Sequence, residues 1–249
     1  MRLNLLSIGL TALISLSQAV AASAAELDVR KLINDAIAAK HAKVVIPAGE
    51  HRIQPLDPKA PAHLVFEGAQ NLEIAGEGAT LIFTDPEKNG IYFNRCNGLT
   101  LRGFKIDYEP LPFTQGTIVA AEPDRNAYLI KIDDGYLPDP TFFAGSDNTF
   151  VGGRMAAYLF DGESGKWKTD AFDMYPSKFE IVEPLTVRLT FATPESFKRN
   201  NGVAGDRIVI SRRTSSAVRL NYCENTNVDG ITIYAAGGIG MHEASGKGG

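Results

Sequence analysis

The sequence predicts an all-β fold: a parallel β-helix with an N-terminal capping helix and an inserted small antiparallel β-barrel or sandwich. Three observations carry that expectation. One apolar template recurs in three segments: apolar-x-apolar, a small residue three positions on, apolar-x-apolar again, then Gly. Leu64, Phe66, Ala69, Leu72, Ile74 and Gly76 fit it, as do Ile91, Phe93, Cys96, Leu99, Leu101 and Gly103. Val218, Leu220, Cys223, Thr226, Val228 and Gly230 form the third copy, with Thr226 the one polar substitution. The spacing is the second observation, since Gly76 to Gly103 is 27 residues and Gly103 to Gly230 is 127, one period plus 100. Third, the apolar alternation slips phase at the Gly: Leu99 and Leu101 point inward, then Phe104 and Ile106 do. Alternation marks a strand with one buried face, and a slip at Gly marks a corner between two short strands. Short strands, corners and a repeat of this length describe stacked rungs, each covering the apolar face of the last. A β-sandwich with turns at chance spacing has no reason to repeat one template.

Residues 1–24 read as a secretory signal peptide. Arg2 supplies a weak positive charge, Leu5 to Leu16 an apolar run, and Ala19 to Ala25 small residues at the cleavage positions. The run is short of the roughly 20 residues of a membrane-spanning helix. The expected location is therefore secreted or periplasmic, with no membrane partner after cleavage. Residues 25–112 are expected to hold the cap and the first rungs. Val29 to Lys40 reads as an amphipathic helix with Leu32, Ile33, Ala36 and Ile37 on one face, laid over the exposed first rung. From Thr117 to Ser211 the template gives way to short alternating strands: Thr117–Val119, Tyr128–Ile132, Ala157–Phe160, Phe179–Val182, Thr186–Phe191 and Arg207–Ile210. Asp134-Gly135, Asp161-Gly162 and Gly205-Asp206 supply turns between them, so residues 113–211 form the expected inserted β domain. Residues 212–249 resume the helix. The chain is expected to stop within the next rung, which starts at Ile239 and Met241 and has no cap after Gly249.

The formal net charge is −4, and removing residues 1–24 takes away one Arg and no acid. A mildly acidic chain argues against nucleic acid as partner and would not repel a neutral sugar. Cys96 and Cys223 hold the same template position, which stacks them about 4.8 Å apart on adjacent rungs. Their parallel side chains orient the sulfurs poorly for bonding, so a buried reduced pair is expected.

Two segments carry a resemblance. Helix followed by VVIPAGEHRI, Val44 to Ile53, resembles the N-terminal cap of the pectate lyase and polygalacturonase-like superfamily, which implies a right-handed parallel β-helix. Gly103 to Gly116 reads GFKIDYEPLPFTQG. It resembles the segment at which an inserted β-barrel leaves the β-helix in glycoside hydrolase family 110, the α-1,3-galactosidases. HEASGKGG, from His242, is similar to that group as well. The resemblance spans essentially the whole mature chain but only the N-terminal part of the family's domain. It implies a metal-independent, inverting exo-hydrolase that releases terminal α-linked galactose, with no cofactor and an oligo- or polysaccharide as partner. It also implies catalytic carboxylates beyond Gly249, so no catalytic residue is assigned here and this fragment alone is expected to be inactive.

Five residues are candidates for substrate binding. An inverting glycosidase needs two carboxyls roughly 6.5–9.5 Å apart with room for water. Asp107 and Glu109 flank Tyr108 at the insertion corner. They read either as the wall of a cleft, with Tyr108 offering a stacking face to a sugar, or as a Pro-rich turn whose carboxylates cap local N–H groups. His242 and Glu243 follow Gly237-Gly238-Ile239-Gly240. They read either as a substrate-contacting pair or as a solvent-facing strand end, and the small residues would let a ligand approach the backbone. Asp133-Asp134-Gly135 with Asp139 lacks the ordered spacing of a calcium loop and reads as a hairpin turn. At most one of Arg212 and Arg213 can point into a cleft, because neighbours on a strand face opposite ways. Glycoside hydrolysis is the function best supported by the corner motif. A polysaccharide lyase on the same scaffold and a non-catalytic glycan-binding protein are the alternatives.

Overall fold

The computed structural model describes residues 27–138, 155–168, 174–211, 213 and 215–245. The expected signal peptide, Asp139, Arg212 and the final four residues lie outside the described residues. The chain is all-β apart from two helices and one 3-10 turn among the described residues.

Helix α1 spans Val29–Ala38. Asp28 caps it by accepting the Lys31 N–H at 3.0 Å, which satisfies one of the otherwise orphan amides of the first turn. Its apolar stripe buries Val29, Ile33 and Ala36. The strands that follow are β1 (Lys43–Val45), β2 (Gly49–Ile53), β3 (Ala62–Glu67), β4 (Glu73–Ala75), β5 (Ala79–Phe83), β6 (Asn89–Asn94), β7 (Thr100–Arg102) and β8 (Lys105–Tyr108). They visit three parallel sheets in rotation, so β1, β4 and β7 are neighbours, as are β2, β5 and β8, and β3 and β6. After a long excursion, β15 (Ser216–Asn221), β16 (Asn227–Asp229), β17 (Thr232–Ile233) and β18 (Ile239–Ala244) rejoin the same three sheets, each as a parallel neighbour of the strand before it.

The template positions coincide in register. Leu64, Ile91 and Val218 are successive partners, as are Phe66, Phe93 and Leu220, and Ile74, Leu101 and Val228. All of these side chains except Val228, together with Phe83, Phe104 and Tyr108, form one apolar cluster under α1; Val228, expected inward from the template, is 38% exposed. Phe66 and Phe93 stack at 5.4 Å between ring centroids, within the range where aromatic pairs add to simple burial. Cys96 and Cys223 are free thiols, both buried in this cluster, and burial pushes the Cys96 thiol up from its usual range.

The excursion holds a separate layer. Strands β9 (Phe113–Glu122), β10 (Ala127–Ile132), β11 (Ala156–Phe160), β12 (Lys178–Glu183), β13 (Thr186–Thr190) and β14 (Arg207–Ser211) pair antiparallel in the order β11-β14-β9-β10-β13-β12. All six lie in one sheet, not the two of a sandwich. Its inner face closes its own cluster, including Ile118, Ile130, Leu159, Val187, Leu189 and Ile208. Helix α2, Pro194–Lys198, is a single turn that the apolar pattern does not announce; a reciprocal Thr193–Ser196 capping box starts it and Phe197 anchors it.

Candidate functional site

The two layers meet where β8 passes into β9. Along β8 the residues alternate, with Ile106 and Tyr108 buried and Lys105 and Asp107 facing out. The chain then turns through Glu109-Pro110-Leu111-Pro112, with a cis peptide between Glu109 and Pro110. This corner forms one wall of a cleft of about 580 Å³ lined by Arg52, Pro86, Glu109, Phe113, Tyr136 and Leu137, among others. The Glu109 carboxylate accepts a hydrogen bond from the Arg52 guanidinium of β2. Both side chains are more than half exposed, so the pair adds little stability but sets a charged edge on a largely apolar cleft. Phe113 and Tyr136 pack against each other in its lining, 6.0 Å between ring centroids and tilted by 39°. Arg52 was not legible as a site residue. Its outward column runs Arg52, Ile82, Asp107, and those offsets are unequal because the turns between strands differ in length. Tyr136 had a usable signal: extending the β9–β10 hairpin register from Ile132 and Gly116 carries it towards Phe113.

Tyr108 does not offer a stacking face. It is 2% exposed, with its ring 5.4 Å from Phe83 and edge-on to His63 at 6.0 Å. Its hydroxyl donates to the Lys88 carbonyl at 3.1 Å and lies 3.4 Å from the Ser216 carbonyl. Burial pushes the phenol well above the usual tyrosine range, and the Asp85 charge adds to it. Tyr108 borders the cleft, but the alternation that buries Phe104 and Ile106 carries on through it and leaves no ring face exposed for the expected sugar stacking. His63 completes this support. Its Nε2 accepts the Asp85 N–H at 2.9 Å, and its Nδ1 lies 2.9 Å from the Asn89 carbonyl. The first contact leaves Nε2 without a proton, so Nδ1 carries it and donates. Burial lowers the imidazole pKa. Together the two side chains hold the 84–88 loop that supplies Pro86 to the cleft.

Asp107 faces out, and its carboxylate accepts the Tyr108 N–H at 2.8 Å, the local capping arrangement weighed from the sequence. His242 and Glu243 lie on β18, in a different sheet from Asp107, so the structure does not gather the five candidates into one site. Nor do His242 and Glu243 act as a pair on one face. His242 is register partner to Arg219, which lies over the Tyr92 ring at 6.0 Å on the outward side. Glu243 is partner to Leu220, in the column of buried Phe66 and Phe93. Two of the glycines before them are required by the protein's own packing. A Cβ on Gly237 would fall 2.2 Å from the Ser215 Oγ, and one on Gly238 3.0 Å from Arg213 Cα.

Asp133 pairs with the Arg207 guanidinium and accepts from Gln115 Nε2 at 3.0 Å. The Asp134-Gly135 turn that follows has Gly135 at φ 88°, a conformation that glycine adopts without cost. Among the described residues there is no group of three or more His, Cys, Asp or Glu side chains placed to hold a metal. Arg213 donates to the Tyr175 hydroxyl at 3.3 Å. No protein-family model matches the chain, and no curated protein matches it.

Proposed function

We infer that this chain is a secreted carbohydrate-active protein on a right-handed parallel β-helix, a glycoside hydrolase that acts on terminal α-linked galactose. Three parallel sheets visited in rotation, with template residues in register, support the β-helix. A six-stranded sheet that closes its own apolar cluster supports an inserted barrel, the arrangement implied by the resemblance to glycoside hydrolase family 110.

One observation carries the functional reading. The cleft beside the DYEPLPF corner combines apolar ring faces, Phe113 and Tyr136, with a charged edge, Arg52 and Glu109. A sugar ring has the matching surfaces, an apolar face of C–H groups and a rim of hydroxyls, and ligand sites of this kind pair apolar walls with a few placed polar groups. Glu109 is read as a substrate contact. It is tied to Arg52, and an inverting reaction needs a second carboxyl with a water between, so no catalytic role is given to it.

The test is an assay of the full-length gene product on terminal α-galactosides and on uronate polymers, with binding followed by calorimetry. Galactose released with inverted anomeric configuration supports hydrolysis, and Glu109→Gln is expected to weaken binding. A new absorbing double bond would reassign the chain to the lyases. Binding without turnover would make it a glycan-binding protein, and no binding to any glycan would refute the reading.

A further inference from the structure

We propose that the outward face of the antiparallel sheet is a second saccharide-binding surface, centred on Trp167, which takes a neutral glycan chain extending from the cleft. The proposal rests on the carbohydrate reading above for its ligand class and extends it to a site the corner motif does not touch.

The observations begin with alternation. On β11, Ala157 and Leu159 point into the sheet's own cluster, so Tyr158 and Phe160 point out. Trp167 pairs back onto Phe160 through an isolated antiparallel bridge. Its ring lies 5.6 Å from Tyr158, edge-on, and 6.1 Å from Phe160. It remains 49% exposed. A large aromatic left open beside two others is an unusual use of surface, and such patches mark binding sites.

The rows across the sheet continue this face with polar groups. Tyr158, Val209 and Gln115 are successive register partners, and so are Phe160, Arg207 and Thr117. Arg207 donates to the Thr117 hydroxyl and to the Asp133 carboxylate, both at 3.2 Å, and Gln115 donates to Asp133 as well. The Arg207–Asp133 pair balances its own charge and presents planar donors and acceptors, while Lys131, the next register partner of Thr117, adds one cation further along the row. Planar donors and acceptors of this kind suit vicinal hydroxyls. From Gln115 to Tyr158 is two strand spacings, about 10 Å, long enough for more than one sugar ring. Phe113 stands two residues before Gln115 on the same side of β9 and lines the cleft. The aromatic strip, the polar network and the cleft are therefore parts of one continuous face.

The chain contains a single tryptophan, so its intrinsic fluorescence reports this surface alone. The full chain is titrated with galactose and with neutral galacto-oligosaccharides of increasing length, following Trp fluorescence and heat in parallel. The expected result is a saturable Trp signal with the longer chains and little with the monosaccharide. Trp167→Ala is expected to weaken the longer chains by about tenfold or more, with the monosaccharide unchanged. Gln115→Ala, which leaves the aromatic strip intact, should weaken the same ligands and keep the Trp signal, and circular dichroism of both variants checks the fold. Calorimetric binding that Glu109→Gln weakens, with a silent Trp, overturns the second surface and leaves the cleft reading standing. Binding weakened by Trp167→Ala but not by Glu109→Gln does the reverse. No saccharide binding, or a Trp signal that follows protein concentration as self-association, overturns the proposal.

Discussion

Replacing Tyr108 by Phe isolates what its hydroxyl does. The ring stays packed against Phe83 and His63, and only one oxygen is lost. That oxygen donates to the carbonyl of Lys88 and sits beside that of Ser216, so it ties the end of β8 to the loop before β6 and to the start of β15. Removing it leaves the Lys88 carbonyl short of that donor, a loss of about 1–2 kcal/mol. Urea unfolding should show a lower midpoint at an unchanged slope, with glycan affinity preserved. A second signature appears at high pH. Burial raises the Tyr108 pKa in the folded chain, so above the ordinary tyrosine value near 10 the unfolded chain holds fewer protons than the folded one. Stability then falls as pH rises above about 10, by at most about 1.4 kcal/mol per pH unit for one group. Tyr128, also raised by burial, contributes a similar slope, so Tyr108→Phe should reduce the alkaline dependence without abolishing it. An unchanged midpoint at neutral pH and an unchanged alkaline slope would refute the placement of the hydroxyl in the core.

Three further outcomes are expected. His63 has a lowered pKa because it is buried, so stability is full above the ordinary imidazole value of 6.5 and falls as pH drops below it; His63→Gln should flatten that acid limb in thermal melts. A Cβ on Gly90 would meet the Phe83 ring at 2.3 Å and the Ala217 carbonyl at 2.5 Å, so Gly90→Ala should cost about 1–3 kcal/mol by overpacking, and a melting temperature equal to the parent's would contradict the register of β6. Asp206 is 3% exposed and paired with Lys168 at 2.8 Å, so Lys168→Met, which among the described residues leaves the carboxylate only the Val203 N–H, should cost about 2–3 kcal/mol in denaturant unfolding.

The residue pattern alone determined the strand columns. Leu64, Ile91 and Val218 meet in register across a gap of more than a hundred residues, because a parallel stack rewards any segment that repeats the same inward faces whatever lies between. The six strands of the excursion were legible from alternation and turns for the same local reason, and so was the amphipathic face of α1. The order of those strands was not. β14 pairs with β9 and carries β11 at its outer side, contacts separated by about ninety and about fifty residues that no local pattern encodes. Tyr108 was weighed as a stacking face at a cleft wall, although the inward phase of Phe104 and Ile106 continues to it, and that alternation buries the ring. Glu243 was paired with His242 by adjacency, and strand geometry separates adjacent residues onto opposite faces. Trp167 carried no motif and became a candidate only when the chain folded it back beside Tyr158 and Phe160. Sequence periodicity specifies which face of a strand is buried, a local property. Which strands lie side by side, and so which side chains share a surface, depends on the lengths and paths of the turns, and only the tertiary structure decides it.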